Sequence, residues 1–247
     1  MARDERDEKQ ILPEAESFLE RLGVRSCDSD FEELGKFMRN ADPQSDVMRP
    51  APPRWQDKLI EGVVEERSSI LDIGCGEGDL LLRLAEKRIA TVQGVELNQE
   101  MVIRCIERGI PVYHGDLETS LKNFPDENFD YVILEETLQT LEHPMNVLKE
   151  MMRVGKRCFI SFPNFAHWNV RLAFSLGGRM PKTGALPYTW YDTPNIHLCS
   201  INDFMDWTAS DNIRILNSWV LANGEVMEYR REHNLVAEQA MFLVEKA

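Results

Sequence analysis

Residues 70–79 read ILDIGCGEGD and place three glycines, Gly74, Gly76 and Gly78, at alternate positions behind an apolar run. A glycine turn that leaves a strand and opens a helix lets a ligand approach bare backbone. The usual guest is a phosphate resting on the helix N-terminus. Here Asp72, Glu77 and Asp79 bring negative charge to that place, and the spacing G-x-G-x-G departs from the G-x-G-x-x-G of dinucleotide sites. Further acids recur downstream, each behind an apolar stretch: Glu96 in GVELN, Asp116 in HGDLE, and Glu135 with Glu136 in VILEETL. Glu96 lies about twenty residues past the turn, the offset of a ribose-binding acid. One carboxylate accepts two hydroxyl hydrogen bonds at once, which suits a vicinal diol. Asp116 is placed to accept from an adenine amino group, and Glu135 falls near a cationic portion of the ligand. A phosphate-free nucleoside with a positive centre has this outline, and S-adenosylmethionine, with its sulfonium and ammonium, is such a molecule. A nicotinamide dinucleotide is the alternative, and it requires a pyrophosphate on the glycine turn.

Taken singly, each feature has a plainer origin. A G-x-G-x-G turn also serves strand-to-helix packing, Glu96 can be a solvated strand end, and Asp116 can cap a turn. What argues for a site is their order, one acid at the carboxyl end of each successive strand.

The elements that must hold these acids follow from hydrophobic spacing. KLIEGVVEE has the one-face pattern of a helix, SSILDIG is a short buried strand, and GDLLLRLAEK returns to helix. TVQGVEL is a second strand, and Asn98 caps the helix QEMVIRCIER, which Gly109 ends. PVYHGD, FDYVILEE and RCFISFP supply three more strands, with PMNVLKEMMRVG between the last two bounded by Pro144 and Gly155 as a helix. Strands alternating with helices imply an α/β, Rossmann-like, doubly wound parallel sheet. Beyond it, a helix is expected near 165–176, then a long connection rich in Pro, Tyr, Trp and His, then a helix near 201–210 with Ser200 and Asp203 as a capping box. IRILNSWVLA and AEQAMFLVEK are expected as a closing pair of strands at the sheet edge.

Residues 1–54 differ in character. A sparse amphipathic stretch (Ile11, Leu12, Phe18, Leu19, Leu22) leads through polar sequence into Pro50, Pro52 and Pro53. The reading is a charged, loosely packed extension, with a partner-binding arm as the alternative, ahead of a domain over 55–247 whose cap region lies near 164–200. The chain has 247 residues, 43% of them hydrophobic, and a net charge of -14. That charge repels phosphate backbones, so nucleic acid is not an expected partner. Five cysteines without a CxxC pair give no support to a zinc site or a disulfide framework, and no metal is expected. No apolar run is long enough for a membrane span and the first residues are charged, so a cytoplasmic protein is expected.

From about Ser68 onward the chain resembles the MetW family of methionine biosynthesis proteins, a class I S-adenosylmethionine-dependent methyltransferase-like group. The resemblance is carried by ILDIGCGEGDLL, GVELNQEMVIRCIERGIPVYHGDLE, FPDENFDYVILEETLQTLEHPMNVLKEMMRVGKRCFISFPNFAHWNVR, GRMPKTGALPYTWYDTPNIHLCSINDF and NLVAEQAMFLVEK. It implies the class I methyltransferase fold, a mostly parallel seven-stranded sheet with an antiparallel last strand. It implies Asp72, Gly74, Gly76 and Gly78 around the methionine moiety, Glu96 on the ribose and Asp116 with the neighbouring Leu117 backbone at adenine; Leu97 and Glu135 complete the expected cofactor-binding residues. It also implies a role in making methionine beside a homoserine O-acyltransferase (MetX-like) partner.

Methyl transfer is an in-line displacement at a positive sulfonium, so placement of the acceptor supplies much of the catalysis, and a base is required only for a protonated acceptor. The NPPY-type signature of amide and amine methylation is absent after the fourth strand, where LEETLQTLEHP stands. No catalytic residue is assigned. An acceptor pocket or a partner surface draws on His167, Trp168, Tyr191 and His197, with Tyr188 and Trp190 beside them; each also has a packing role as its plainer origin. Arg153, Lys156, Arg157, Arg171, Arg179 and Lys182 form a basic cluster for an acidic partner, or a solvated face. Two readings therefore stand: a subunit that binds the cofactor and supports the acyltransferase, or a methyltransferase acting on a small molecule.

Overall fold

The alternation of strands and helices expected from residue 55 is present in the computed structural model, which describes residues 54–247. The expectations for residues 1–53 lie outside the described residues. Helix α1 (Trp55–Val63) is followed by β1 (Ser69–Ile73), α2 (Asp79–Arg88), β2 (Thr91–Glu96), α3 (Gln99–Glu107), β3 (Val112–His114), the short α4 (Leu117–Ser120), β4 (Phe129–Leu134), α5 (Pro144–Val154) and β5 (Gly155–Pro163). Then come α6 (Trp168–Gly177), α7 (Ile201–Ser210), β6 (Ile213–Ala222), β7 (Glu225–Glu228), α8 (His233–Val236) and β8 (Gln239–Lys246). Two units divide the chain: among the described residues, 54–167 and 184–247 belong to one, and Trp168–Thr183, with α6, to the other.

The larger unit is built on one sheet ordered β3-β2-β1-β4-β5-β8-β6-β7. Strands β1 to β5 are parallel, and β8 pairs antiparallel with both β5 and β6. The order reverses at β1, where one crossover leads to β2 and the other side of the sheet to β4, so the crevice for a ligand opens beyond the carboxyl ends of β1, β2 and β4. Two expectations are corrected. The sheet has eight strands rather than seven, because β7 adds to β6. The closing strands are not an edge hairpin: β8 is interior, and the hairpin is β6–β7, turning at Asn223 (φ 52°) and Gly224 (φ 76°). Those two positive φ values give the turn whose twist matches the flanking strands.

Side chains alternate across the sheet, and the alternation decides what is buried where. Leu71, Ile73, Val132, Leu134, Cys158, Ile160 and Phe162 join α5 and α7 on one face. Ile70, Tyr131, Ile133 and Phe159 pack with Leu80, Leu81, Leu84 and Ile60 of α2 and α1 on the other. Asp72 shares the parity of Ile70, so a carboxyl stands on the α1 face of a buried strand. Helix α1 is fixed to α2 by Arg83, which binds Asp57 at 2.5 Å and Glu61 at 2.7 Å. The predicted caps are in place: Asn98 accepts from Glu100 and Met101 N–H, and Ser200 with Asp203 forms a complete capping box.

Candidate functional site

Parallel registry carries the acids to one place. Asp72 lies opposite Gly94 of β2 and Ile133 of β4. Glu135 comes two residues after Ile133 and has the same parity, so it falls on the α1 face beyond Asp72. Strand β4 stops at Leu134 because Glu136 takes φ 49°. That strained backbone is fixed from two sides: its N–H donates to Ser161 O and Oγ, both at 3.1 Å, and its Oε1 accepts from Gln56 Nε2 at 3.2 Å and from Gln239 Nε2. Gln239 Oε1 in turn accepts from Trp55 Nε1 at 2.5 Å, so the start of α1, the end of β4 and the start of β8 are tied together.

The glycine turn is shaped by its neighbours. Gly74 N–H donates to Val95 O at 2.8 Å, which docks the turn on β2. With φ 79°, a Cβ at Gly74 would stand 3.3 Å from Thr137 Oγ1 and 3.7 Å from Leu117 Cδ1, so the turn, the loop after β4 and α4 meet here. Gly78, at φ 77°, is the N-cap of α2, and a Cβ on it would run into Ile110. Cys75 is a filler, its Sγ packed where Gly94 has no side chain and 4.0 Å from Cys105 Sγ.

Glu96 ties this turn to the end of β2. Its Oε2 accepts from Gly76 N–H at 2.9 Å, and its Oε1 accepts from Leu97 N–H at 2.9 Å and Asn98 N–H at 2.8 Å. Three of about four acceptor positions are thereby used, leaving Oε2 one lone pair for a ligand hydroxyl. Leu97 itself is exposed at the rim. Asp116 caps α4, its Oδ1 accepting from Glu118 and Thr119 N–H at 3.0 and 3.1 Å. Its Oδ2 takes part in none of these bonds. Half-buried Leu117 approaches Gly74, as above. The structure thus gathers Asp72, Glu96 and Glu135 with the glycine turn, and sets Asp116–Leu117 at its flank.

The electrostatics of the centre are unusual. Asp72 is 6% exposed, and burial pushes its carboxyl up to about 7, with Arg54 opposing and Asp57 and Glu96 adding. Glu135 is 8% exposed and is pushed up to about 8 by burial, then by Asp72 and Asp57, against the pull of Arg54. Glu135 Oε2 accepts from Arg54 Nη1 at 3.1 Å, while its buried Oε1 has no hydrogen-bond partner. An orphaned, desolvated carboxyl oxygen is costly unless a donor or cation completes it. Glu77 and Asp79 play a smaller part than the sequence suggests. Arg104 pairs with Glu77, and Arg108 with Asp79 at 2.6 Å, so the start of α2 is largely neutralised. The case against a pyrophosphate rests instead on Asp72, Glu96 and Glu135.

Sequence reasoning did not find Arg54, Thr137 or Gln139. Arg54 reaches Glu135 across 81 residues, and no local pattern signals that pairing. The side chain of buried Gln139 donates from Nε2 to Glu136 O at 2.6 Å, and its backbone carbonyl receives the N–H groups of Ile196 and His197 at 2.8 and 3.0 Å. The aromatic connection is therefore hung on the loop after β4. His197 Nε2 also lies 3.3 Å from Glu142 O. Tyr191 is 68% exposed, edge-to-face with Trp190, itself 74% exposed. His167 is buried after β5, and Trp168 opens α6 in the other unit. Three members of the basic cluster are spent internally: Arg153 on Asp126 and Glu150, Lys156 on Asp130, and Arg157 on Glu65.

Comparison with known proteins bears on the fold and the family. A [4+2]-cyclase, SpnF, superposes with a TM-score of 0.55 at 15% identity over 77% of this chain and 80% of its own. A SAM-dependent methyltransferase from Thermotoga maritima gives 0.57 at 17% identity over 78% of this chain and 87% of its own. At such identities the likeness speaks for the class I methyltransferase fold, and a cyclase on that fold separates fold from reaction. Among curated proteins, the bifunctional methionine biosynthesis protein MetXA/MetW of Rhodopirellula baltica is 36% identical over 197 residues, 75% of this chain. The chain spans 32% of that relative's own length. The family model described as methionine biosynthesis protein MetW matches residues 54–244, and by that match the chain belongs to the MetW family.

Proposed function

We propose that this chain binds S-adenosylmethionine at the carboxylate-lined end of the sheet and supports a homoserine O-acyltransferase in methionine biosynthesis. The observation that carries the cofactor half is Glu135, buried beside Asp72 with one oxygen unpartnered at the mouth of the glycine turn. A ligand with a positive amino-acid end satisfies that oxygen, and a pyrophosphate does not. Glu96 and Asp116 keep acceptor capacity for a ribose hydroxyl and an adenine amine. When bound, S-adenosylmethionine supplies an electrophilic methyl group; in the supporting role it is a ligand whose occupancy reports methionine supply.

The partner half draws on the relative in which MetXA and MetW are named in one polypeptide. Fusion holds two modules at high effective concentration, which benefits partners that work together. The surface for it is the connection carrying Tyr188, Trp190, Tyr191, Ile196 and Leu198, all exposed large apolar side chains. Aromatic residues grouped this way are what interface centres use.

The test is calorimetric titration with S-adenosylmethionine and with NAD, followed by co-expression with a homoserine O-acyltransferase. Saturable binding of the former alone, and a co-eluting complex whose acyl transfer exceeds that of the acyltransferase by itself, are expected. Tighter binding of NAD removes the cofactor assignment. An acyltransferase equally soluble and active without this chain removes the supporting role.

A further inference from the structure

The carboxyl pocket contains a cation of its own. Arg54 donates from Nη1 to Glu135 Oε2 at 3.1 Å, and its positive charge is favoured there: burial works against it, but Glu135, Glu136 and Asp72 together outweigh burial. The other groups around it are committed elsewhere. Asp57 is bound by Arg83, Glu136 by Gln56 and Gln239, and Glu96 by three backbone N–H groups, its remaining lone pair being the one assigned to the ribose. Acceptor capacity that the protein leaves unused remains on Glu135 Oε1 and on Asp72, whose side chain accepts from no described residue. Arg54, by contrast, is half exposed, at 53% of its side chain, and its backbone is extended (φ -57°, ψ 143°), just ahead of the first turn of α1. Among the described residues, a single side-chain hydrogen bond holds it.

We propose that Arg54 is the specificity residue for the amino-acid end of the ligand, exchanging Glu135 for the ligand's α-carboxylate while Glu135 and Asp72 receive its ammonium. The inference rests on the cofactor reading above and adds the part of the ligand that reading leaves unassigned. A zwitterion needs one group of each sign. The pocket holds two buried carboxyls and one half-exposed guanidinium, so the exchange conserves charge and leaves no buried carboxyl without a donor. A planar guanidinium matches a carboxylate through two parallel N–H bonds, which a lysine does not reproduce. In the empty site the same residue keeps Glu135 Oε2 partnered, so the resting contact with Glu135 and the bound contact with the ligand are alternatives.

The experiment compares two probes on the full chain: S-adenosylhomocysteine, which carries the amino-acid end, and 5′-methylthioadenosine, which has the same nucleoside and thioether without it. Calorimetry measures both on the parent, Arg54→Ala, Arg54→Gln and Arg54→Lys, the Gln variant standing in if Ala lowers thermal stability. The expected result is a loss of about 10- to 100-fold in affinity for S-adenosylhomocysteine in Arg54→Ala and Arg54→Gln. Arg54→Lys recovers part of it, and 5′-methylthioadenosine binds all four proteins alike. Equal or tighter S-adenosylhomocysteine binding by Arg54→Ala identifies Arg54 as a plug and overturns the exchange. A parent that binds both probes equally overturns it too and leaves the cofactor reading standing. A parent that binds neither removes both.

Discussion

A carboxyl raised from 3.8 to about 7, as in Asp72, keeps a proton in the folded chain at pH values where the unfolded chain has lost it. Glu135, raised from 4.5 to about 8, behaves in the same sense. Both groups bind more protons folded than unfolded between those limits, so their contribution to stability is complete below the unfolded pKa values and is lost as pH rises through about 7 to 8. The thermal midpoint of the empty protein is therefore expected to fall as pH is raised from about 5.5 to about 8.5, each group contributing at most about 1.4 kcal/mol per pH unit. Glu135→Gln should flatten that slope and raise stability at the alkaline end, since a neutral amide needs no ionisation in the buried site. A midpoint that rises with pH across this interval, in parent and variant alike, would contradict the buried-carboxyl account. The sequence shows Asp72 within a strand and Glu135 just past another, as β1 and β4 have them, because period-two alternation is a local rule. It did not show that Asp72 and Glu135 are desolvated together, because that depends on α1 closing over the α1 face of the sheet.

At the scale of elements, the turn into α2 combines two demands. Gly78 holds a left-handed φ of 77°, and Ile110 occupies the space a side chain would fill. Gly78→Ala should then cost about 1 to 3 kcal/mol in denaturant unfolding, from backbone strain and displaced packing together. Gly76→Ala, with nothing within 4 Å of its Cβ, meets only the first of these and should cost less. Equal costs would mean the packing at Ile110 yields freely. Helix starts were the most legible elements: Asn98, Ser200 with Asp203, and Pro144 each mark one in the sequence and in the structure. The β6–β7 hairpin was legible too, since Asn223-Gly224 is a strong hairpin signal. It carries no strand signal on its far side, because the four residues of β7 have little apolar alternation of their own, with Glu225 and Glu228 at their ends. The ties that fix the site across the sheet had no such signal, because Trp55 to Gln239 spans 184 residues.

For the whole molecule, the net charge is -14, and half of the basic cluster, Arg153, Lys156 and Arg157, is neutralised internally. An association led by apolar contact then depends on the aromatic connection. The double variant Trp190→Ala, Tyr191→Ala should weaken the proposed complex with a homoserine O-acyltransferase by more than about 10-fold. Its thermal midpoint should stay near that of the parent, because both side chains are mostly exposed. Complex formation that survives this change would move the interface elsewhere on the chain. Among the described residues, no helix is long and apolar enough to cross a membrane.

The interior place of β8 sets a timetable for synthesis. Residues 239–246 are made after every other strand of the sheet, yet they fill the slot between β5 and β6. Until they leave the ribosome, the parallel half of the sheet ends in an open edge at β5, and the β6–β7 ribbon has nothing to join. The growing chain thus carries an open edge at β5 from about residue 163 until residues 239–246 are made, and the last strand closes that edge and the edge of β6 at once.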